Sequence, residues 1–147
     1  MSTTTLAPAE LARALGSRLT PTTEQSRIIA HPLSPLLVVA GAGSGKTATM
    51  TQRVLHLVAT GAVRPDQILG LTFTRKATGE LAERVTAALA RLAGSGLIEF
   101  DDDAPEPTIA TYNSFAGSLV RDHGLLIGVD PDSTLITEAR EIGRAHV

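Results

Sequence analysis

Cysteine and tryptophan are absent, and aromatic side chains are scarce: Phe73, Phe100, Tyr112 and Phe115 are the whole set in 147 residues. Without cysteine there is no disulfide framework and no thiolate metal site. With so few rings, a platform for stacked bases would need partners from elsewhere. No apolar stretch approaches the roughly 20 residues of a membrane span. The start, MSTTTLAPAELARAL, shows no basic segment ahead of an apolar core, so it does not read as a secretory signal. A formal net charge of −2 excludes a polycation, which leaves only a local patch for any nucleic-acid contact. His31, His56, His123 and His146 have no ligand spacing, so a metal site through them is not expected. No internal repeat is visible. The expectation is a soluble, cytoplasmic protein, 43% hydrophobic and able to bury one domain-sized core.

The apolar spacing predicts an α/β chain. PAELARALGS (8–17) starts on Pro8 and ends near Gly16, as a short helix does. TPTTEQSRIIA offers Thr and Pro as start signals for a second helix, which Pro32 and Pro35 end. Leu36 to Val39 is a continuous apolar run, expected to form a strand covered on both faces. Met50, Val54, Leu57 and Val58 mark one face of the next helix, closed by Gly61. ILGLTF (68–73) predicts a strand. A long helix follows, with Ala77, Leu81, Val85, Ala88, Leu89 and Leu92 inward and Glu80, Glu83, Arg84 and Arg91 outward, Glu80 and Glu83 pairing with Arg84 or solvent. Residues 94–107, including Asp101, Asp102 and Asp103, read as a solvated loop. TIAT (108–111) is a third strand and YNSFAGSLVRDHG a further helix. Strand then helix, three times over, implies a parallel sheet flanked by helices.

One stretch points to chemistry. Directly after LLVV comes AGAGSGKT, Ala40 to Thr47. Glycines allow a bend that turns successive N–H groups into one concavity, where the positive end of the following helix favours phosphate oxygens. A plain turn needs glycines but not Gly45-Lys46-Thr47 at a helix start. Lys46 is expected to reach the β- and γ-phosphates and the Thr47 hydroxyl to ligate Mg²⁺. The usual pattern, GxxxxGK[ST], opens with glycine, where this chain has Ala40. A methyl group fits there if Ala40 ends the strand and Gly41 and Gly43 take the bends. Such a loop names a nucleotide, not what the nucleotide drives.

Four segments, in order, resemble the first core domain of UvrD/Rep/PcrA-type superfamily-1 DNA helicases. PTTEQ (21–25) is similar to the family's Q motif, which implies that Gln25 reads the adenine edge. LLVVAGAGSGKT is similar to its first ATPase motif, in which alanine at position 40 is usual; Ala40, Gly41, Ala42, Gly43, Ser44, Gly45, Lys46 and Thr47 would then bind ATP and Mg²⁺. LGLTFTRKATGELAERV resembles the motif that grips single-stranded DNA, which implies contacts from Thr72, Phe73, Thr74, Arg75 and Lys76. TYNSF resembles the next DNA-contacting motif, with Thr111, Tyr112, Asn113, Ser114 and Phe115. Tyr112 stands where phenylalanine is usual and Asn113 where histidine is. From pattern alone Phe73 ends an apolar strand and reads as core; the resemblance adds base stacking as the alternative. Hydroxyls, helix-start N–H groups and two cations suit phosphodiester oxygens without sequence preference.

The resemblance implies a RecA-like phosphate-loop fold over residues 19–140, after an extension at 1–18. It also implies an ATP-dependent motor working 3′ to 5′ at single-strand and duplex junctions. The wording of residues 63–85 resembles actinobacterial members, including subunits of helicase–nuclease complexes. No acidic DExx-type pair follows an apolar run in the 147 residues, so the sheet is expected to be truncated and the chain alone inactive. EIGRAHV (141–147) reads as a non-native tail. Two other readings stand beside the helicase: a non-catalytic nucleotide or single-strand binder, and a small-molecule kinase.

Overall fold

The computed structural model describes residues 6–17, 20–98 and 105–130. Phe100, Asp101 to Asp103 and the 141–147 tail lie outside them. Five helices, two strands and two 3₁₀ turns are described: α1 (Pro8–Ala14), α2 (Thr23–Ile29), α3 (Lys46–Ala59), β1 (Leu69–Thr72), α4 (Arg75–Gly94), β2 (Thr108–Thr111) and α5 (Tyr112–His123), with 3₁₀ turns at Pro65–Gln67 and Gly124–Ile127. They form two compact units, Met1–Thr111 and Tyr112–Val147.

In the first unit β1 and β2 pair in parallel, with Leu69 opposite Thr108 and Thr72 opposite Thr111. A parallel pair needs a crossover, here α4. Gly70 faces Ile109 in that register, and a Cβ on Gly70 would stand 2.7 Å from the Ile109 Cδ1. The glycine in the strand therefore makes room for the neighbouring isoleucine. The core joins Leu11 of α1, Leu55, Val58 and Ala59 of α3, and Leu81, Val85, Ala88, Leu89 and Leu92 of α4. The α4 stripe lies where the 3.6-residue spacing put it.

Two expectations are corrected. Residues 36–39 form no strand: among the described residues no segment pairs with them. Their exposure alternates, Leu36 42%, Leu37 88%, Val38 41% and Val39 89%, so neither face is buried. Apolar composition favours a strand, but a strand exists only through its ladder. On α3 the expected face holds at Val58, in the core, and at Val54, packed against it, but Met50 is 51% exposed and Thr49 and Thr51 are buried instead. Each threonine hydroxyl bonds the carbonyl four residues earlier, Gly45 for Thr49 and Thr47 for Thr51, both at 3.0 Å, which lets a polar residue occupy an interior position.

In the second unit α5 runs into the 3₁₀ turn, and Val129 N–H donates to the Gly124 carbonyl at 2.8 Å. Leu125, Leu126 and Ile127 are exposed there. No described helix is long and apolar enough to cross a membrane.

Candidate nucleotide and nucleic-acid site

The turn between residue 40 and α3 is built by two left-handed glycines, Gly43 (φ 76°) and Gly45 (φ 78°). The bends therefore fall at 43 and 45 rather than 41 and 43, and both take the left-handed conformation that glycine adopts without a Cβ clash. Gly45 is the N-cap of α3 and offers no side chain to the first helical N–H groups. Donors that a Ser or Asp cap would have taken up stay open, at the positive end of a 14-residue helix with no acidic residue in its first turn. Ser44 Oγ donates to the Gly41 carbonyl at 2.8 Å and stiffens the loop. The Lys46 ammonium curls over it, 3.0 Å from the Ala40 carbonyl and 2.7 Å from that of Gly41. Thr47 is exposed beside it.

Gln25 meets this loop from α2. Its Nε2 donates to the Ser44 carbonyl at 3.2 Å, while its Oε1 accepts from Thr22 N–H at 3.0 Å. The Thr22 hydroxyl accepts in turn from Gln25 N–H at 3.2 Å, completing a reciprocal helix cap. Next to it, Glu24 is held below the usual carboxylate range, first by backbone N–H donation and then by the Thr22 hydroxyl. Gln25 thus both caps α2 and ties it to the glycine loop. Arg53, which the sequence reading passed over, grips the far end of α2 through backbone carbonyls, and burial lowers its pKa. An arginine four residues past a helical threonine carries no signal for that role in the sequence.

A second cluster follows β1. The Thr72 hydroxyl lies 2.6 Å from that of Thr78 and 3.1 Å from the Thr74 carbonyl, and Thr74 caps α4 by accepting from Ala77 N–H at 3.1 Å. Thr78 is a further member that the motif reading missed. Phe73 is 90% exposed, which overturns its reading as core: β1 stops at Thr72, so Phe73 belongs to the turn and leaves the strand's alternation. Arg75 and Lys76 are exposed in the first turn of α4, with Lys76 Nζ 3.9 Å from Glu80 Oε1. Glu80 therefore faces Lys76 rather than Arg84. Thr111 ends β2 opposite Thr72. Tyr112, Asn113, Ser114 and Phe115 open α5 in the second unit.

A cleft of about 600 Å³ lies elsewhere, among α1, α2, α3 and α4, lined by Leu11, Ile29, Leu55, Ala88, Arg84 and Arg91 among others. No glycine-loop residue lines it, so volume and candidate chemistry do not coincide. Among the described residues no group of three or more His, Asp or Glu side chains could hold a metal ion.

The UvrD/REP helicase N-terminal domain family matches residues 21–144. The chain belongs to that family. Among its UvrD/REP relatives, ATP-dependent DNA helicase UvrD1 of Mycobacterium leprae is 41% identical over 105 residues, covering 71% of this chain and 12% of the relative. ATP-dependent DNA helicase PcrA of Leuconostoc citreum is 36% identical over 113 residues, 77% of this chain and 14% of the relative. DNA helicase II of Haemophilus influenzae is 35% identical over 113 residues, 77% and 15%. The chain thus spans 12–15% of the length of these relatives.

Proposed function

We propose that this chain supplies the ATP-binding loop and the first single-strand contacts of an ATP-dependent DNA helicase with a RecA-like core, moving 3′ to 5′ on one strand and opening the duplex ahead. The observation that carries this reading is the start of α3: a left-handed glycine cap, open N–H groups and the Lys46 ammonium share one mouth. Phosphate oxygens are better acceptors for Lys46 than the Ala40 and Gly41 carbonyls, because they bring negative charge to a cation. Ala40 to Thr47 would cradle the triphosphate and Gln25 would stand beside the base. Mg²⁺, when bound, neutralises the developing phosphate charge. A single exposed hydroxyl, Thr47, fits it, since this ion usually takes few protein ligands and completes its shell with phosphate oxygens and water.

Thr72, Thr74, Arg75, Lys76 and Thr111 would hold the DNA backbone, and Phe73 a base. Its 90% exposure favours stacking over a core role. Tyr112, Asn113, Ser114 and Phe115 of the second unit would also contact DNA. We read the 147 residues alone as a binder without turnover. In the full-length protein that carries this sequence, single-stranded DNA is expected to raise ATP hydrolysis at least about tenfold, a stimulation lost in Lys46→Ala. ATP hydrolysis indifferent to DNA would favour the small-molecule kinase instead.

A further inference from the structure

Arg53 lies within α3, and its guanidinium leaves that helix to meet the end of α2. Nη1 is 2.7 Å from the Ile28 carbonyl, 3.2 Å from that of Ile29 and 2.8 Å from that of His31, and Nη2 is 3.3 Å from that of Pro32. A helix C-terminus leaves such carbonyls without intrahelical donors. Here Pro32 and Pro35 follow at once and bring no N–H of their own. The one local N–H donor to Ile28, from His31, is long at 3.3 Å. A planar fork of donors that keeps its charge can serve several of these acceptors together, which a lysine ammonium on a single point cannot do as well.

α2 is consequently fixed at two places. Near its N-terminus Gln25 bonds Ser44, one residue before the cap of α3; at its C-terminus Arg53 of α3 holds the last carbonyls. Ile29, at the end that Arg53 holds, is buried to 1% exposure. With seven residues, α2 has little stability of its own, so its placement depends on these ties.

We propose that Arg53 is a positioning residue for nucleotide binding: by gripping the C-terminal carbonyls of α2, it sets where Gln25 meets the glycine loop. The inference rests on residues 40–47 being the nucleotide site.

The test is steady-state ATP hydrolysis by the full-length protein. Arg53→Met keeps the length of the side chain and removes its donors. KM for ATP is expected to rise about tenfold while kcat at saturating ATP stays within about twofold. Arg53→Lys should fall between Met and wild type. If both act through one contact, adding Gln25→Ala to Arg53→Met raises KM little further. A lowered Tm with unchanged KM would make Arg53 a merely structural residue and overturn the proposal, as would KM factors for Arg53→Met and Gln25→Ala that simply multiply. Should Arg53→Met fail to fold, Arg53→Lys decides alone: an unchanged KM overturns the proposal, and a raised one at wild-type kcat supports it. A Lys46→Ala enzyme with wild-type KM would instead sink the nucleotide site itself, a separate result.

Discussion

The side-chain amide of Gln25 bonds the carbonyl of Ser44 at 3.2 Å, although 19 residues separate them. The bond ties the short helix α2 to the loop that opens α3. It passes close to Gly45, where a Cβ would lie 3.3 Å from Gln25 Nε2.

Gly45→Ala therefore meets two costs at once. An alanine at φ 78° is strained by about 1–2 kcal/mol, and its methyl presses on Gln25. Thermal unfolding should show a loss of that order together with weaker nucleotide binding. Gly41→Ala, at a position with no positive φ and nothing within 4 Å of the added Cβ, should be milder in both. Equal effects at the two positions would contradict the loop geometry.

Phe73→Ala should separate binding from folding. The ring is 90% exposed, so its removal should leave Tm nearly unchanged. If it stacks on a base, affinity for single-stranded DNA should fall by about 1–3 kcal/mol, measurable by fluorescence anisotropy in the full-length protein. A large drop in Tm with unchanged affinity would return Phe73 to a packing role.

The opposite pattern is expected for Leu92→Ala. Leu92 is fully buried among α1, α3 and α4 residues, and truncation should cost about 2–5 kcal/mol by leaving a cavity. Denaturant titration measures it, and a loss under about 1 kcal/mol would show that the core collapses around the gap.

Asp66 offers a pH test. Its carboxyl is held below the usual range, first by hydrogen bonds from the Arg64 guanidinium at 2.7 and 2.9 Å and then by that group's charge. A carboxylate with a depressed folded-state pKa contributes fully above its unfolded pKa and loses that contribution as pH falls through the lowered value. Arg64→Ala should move the Asp66 titration, followed by NMR, back up toward the ordinary range. An unmoved titration would show that Arg64 is not the cause.

Local signals were legible wherever burial and periodicity agree. The α4 stripe from Leu81 to Leu92 and the strands at 69–72 and 108–111 lie where spacing placed them. Residues 36–39 misled because apolar composition says what a segment could bury, not whether a neighbour pairs with it. Thr49 and Thr51 were invisible as interior residues because their hydroxyls are satisfied by their own helix. Phe73 was misplaced by one position of strand length. At the candidate site, motif order singled out the glycine loop, Lys46 and Gln25, and the structure brings the three together. Arg53 was not, because its partners are backbone carbonyls more than 20 residues away, which no pattern of side chains records.

The central claim is that the mouth of α3 holds a nucleoside triphosphate. Equilibrium binding of a fluorescent ATP analogue with Mg²⁺ to the full-length protein tests it most directly. The account predicts saturable binding, weakened at least about a hundredfold, roughly 2.7 kcal/mol, in Lys46→Ala. Binding of equal strength in the two proteins, or none in the wild type, would contradict it.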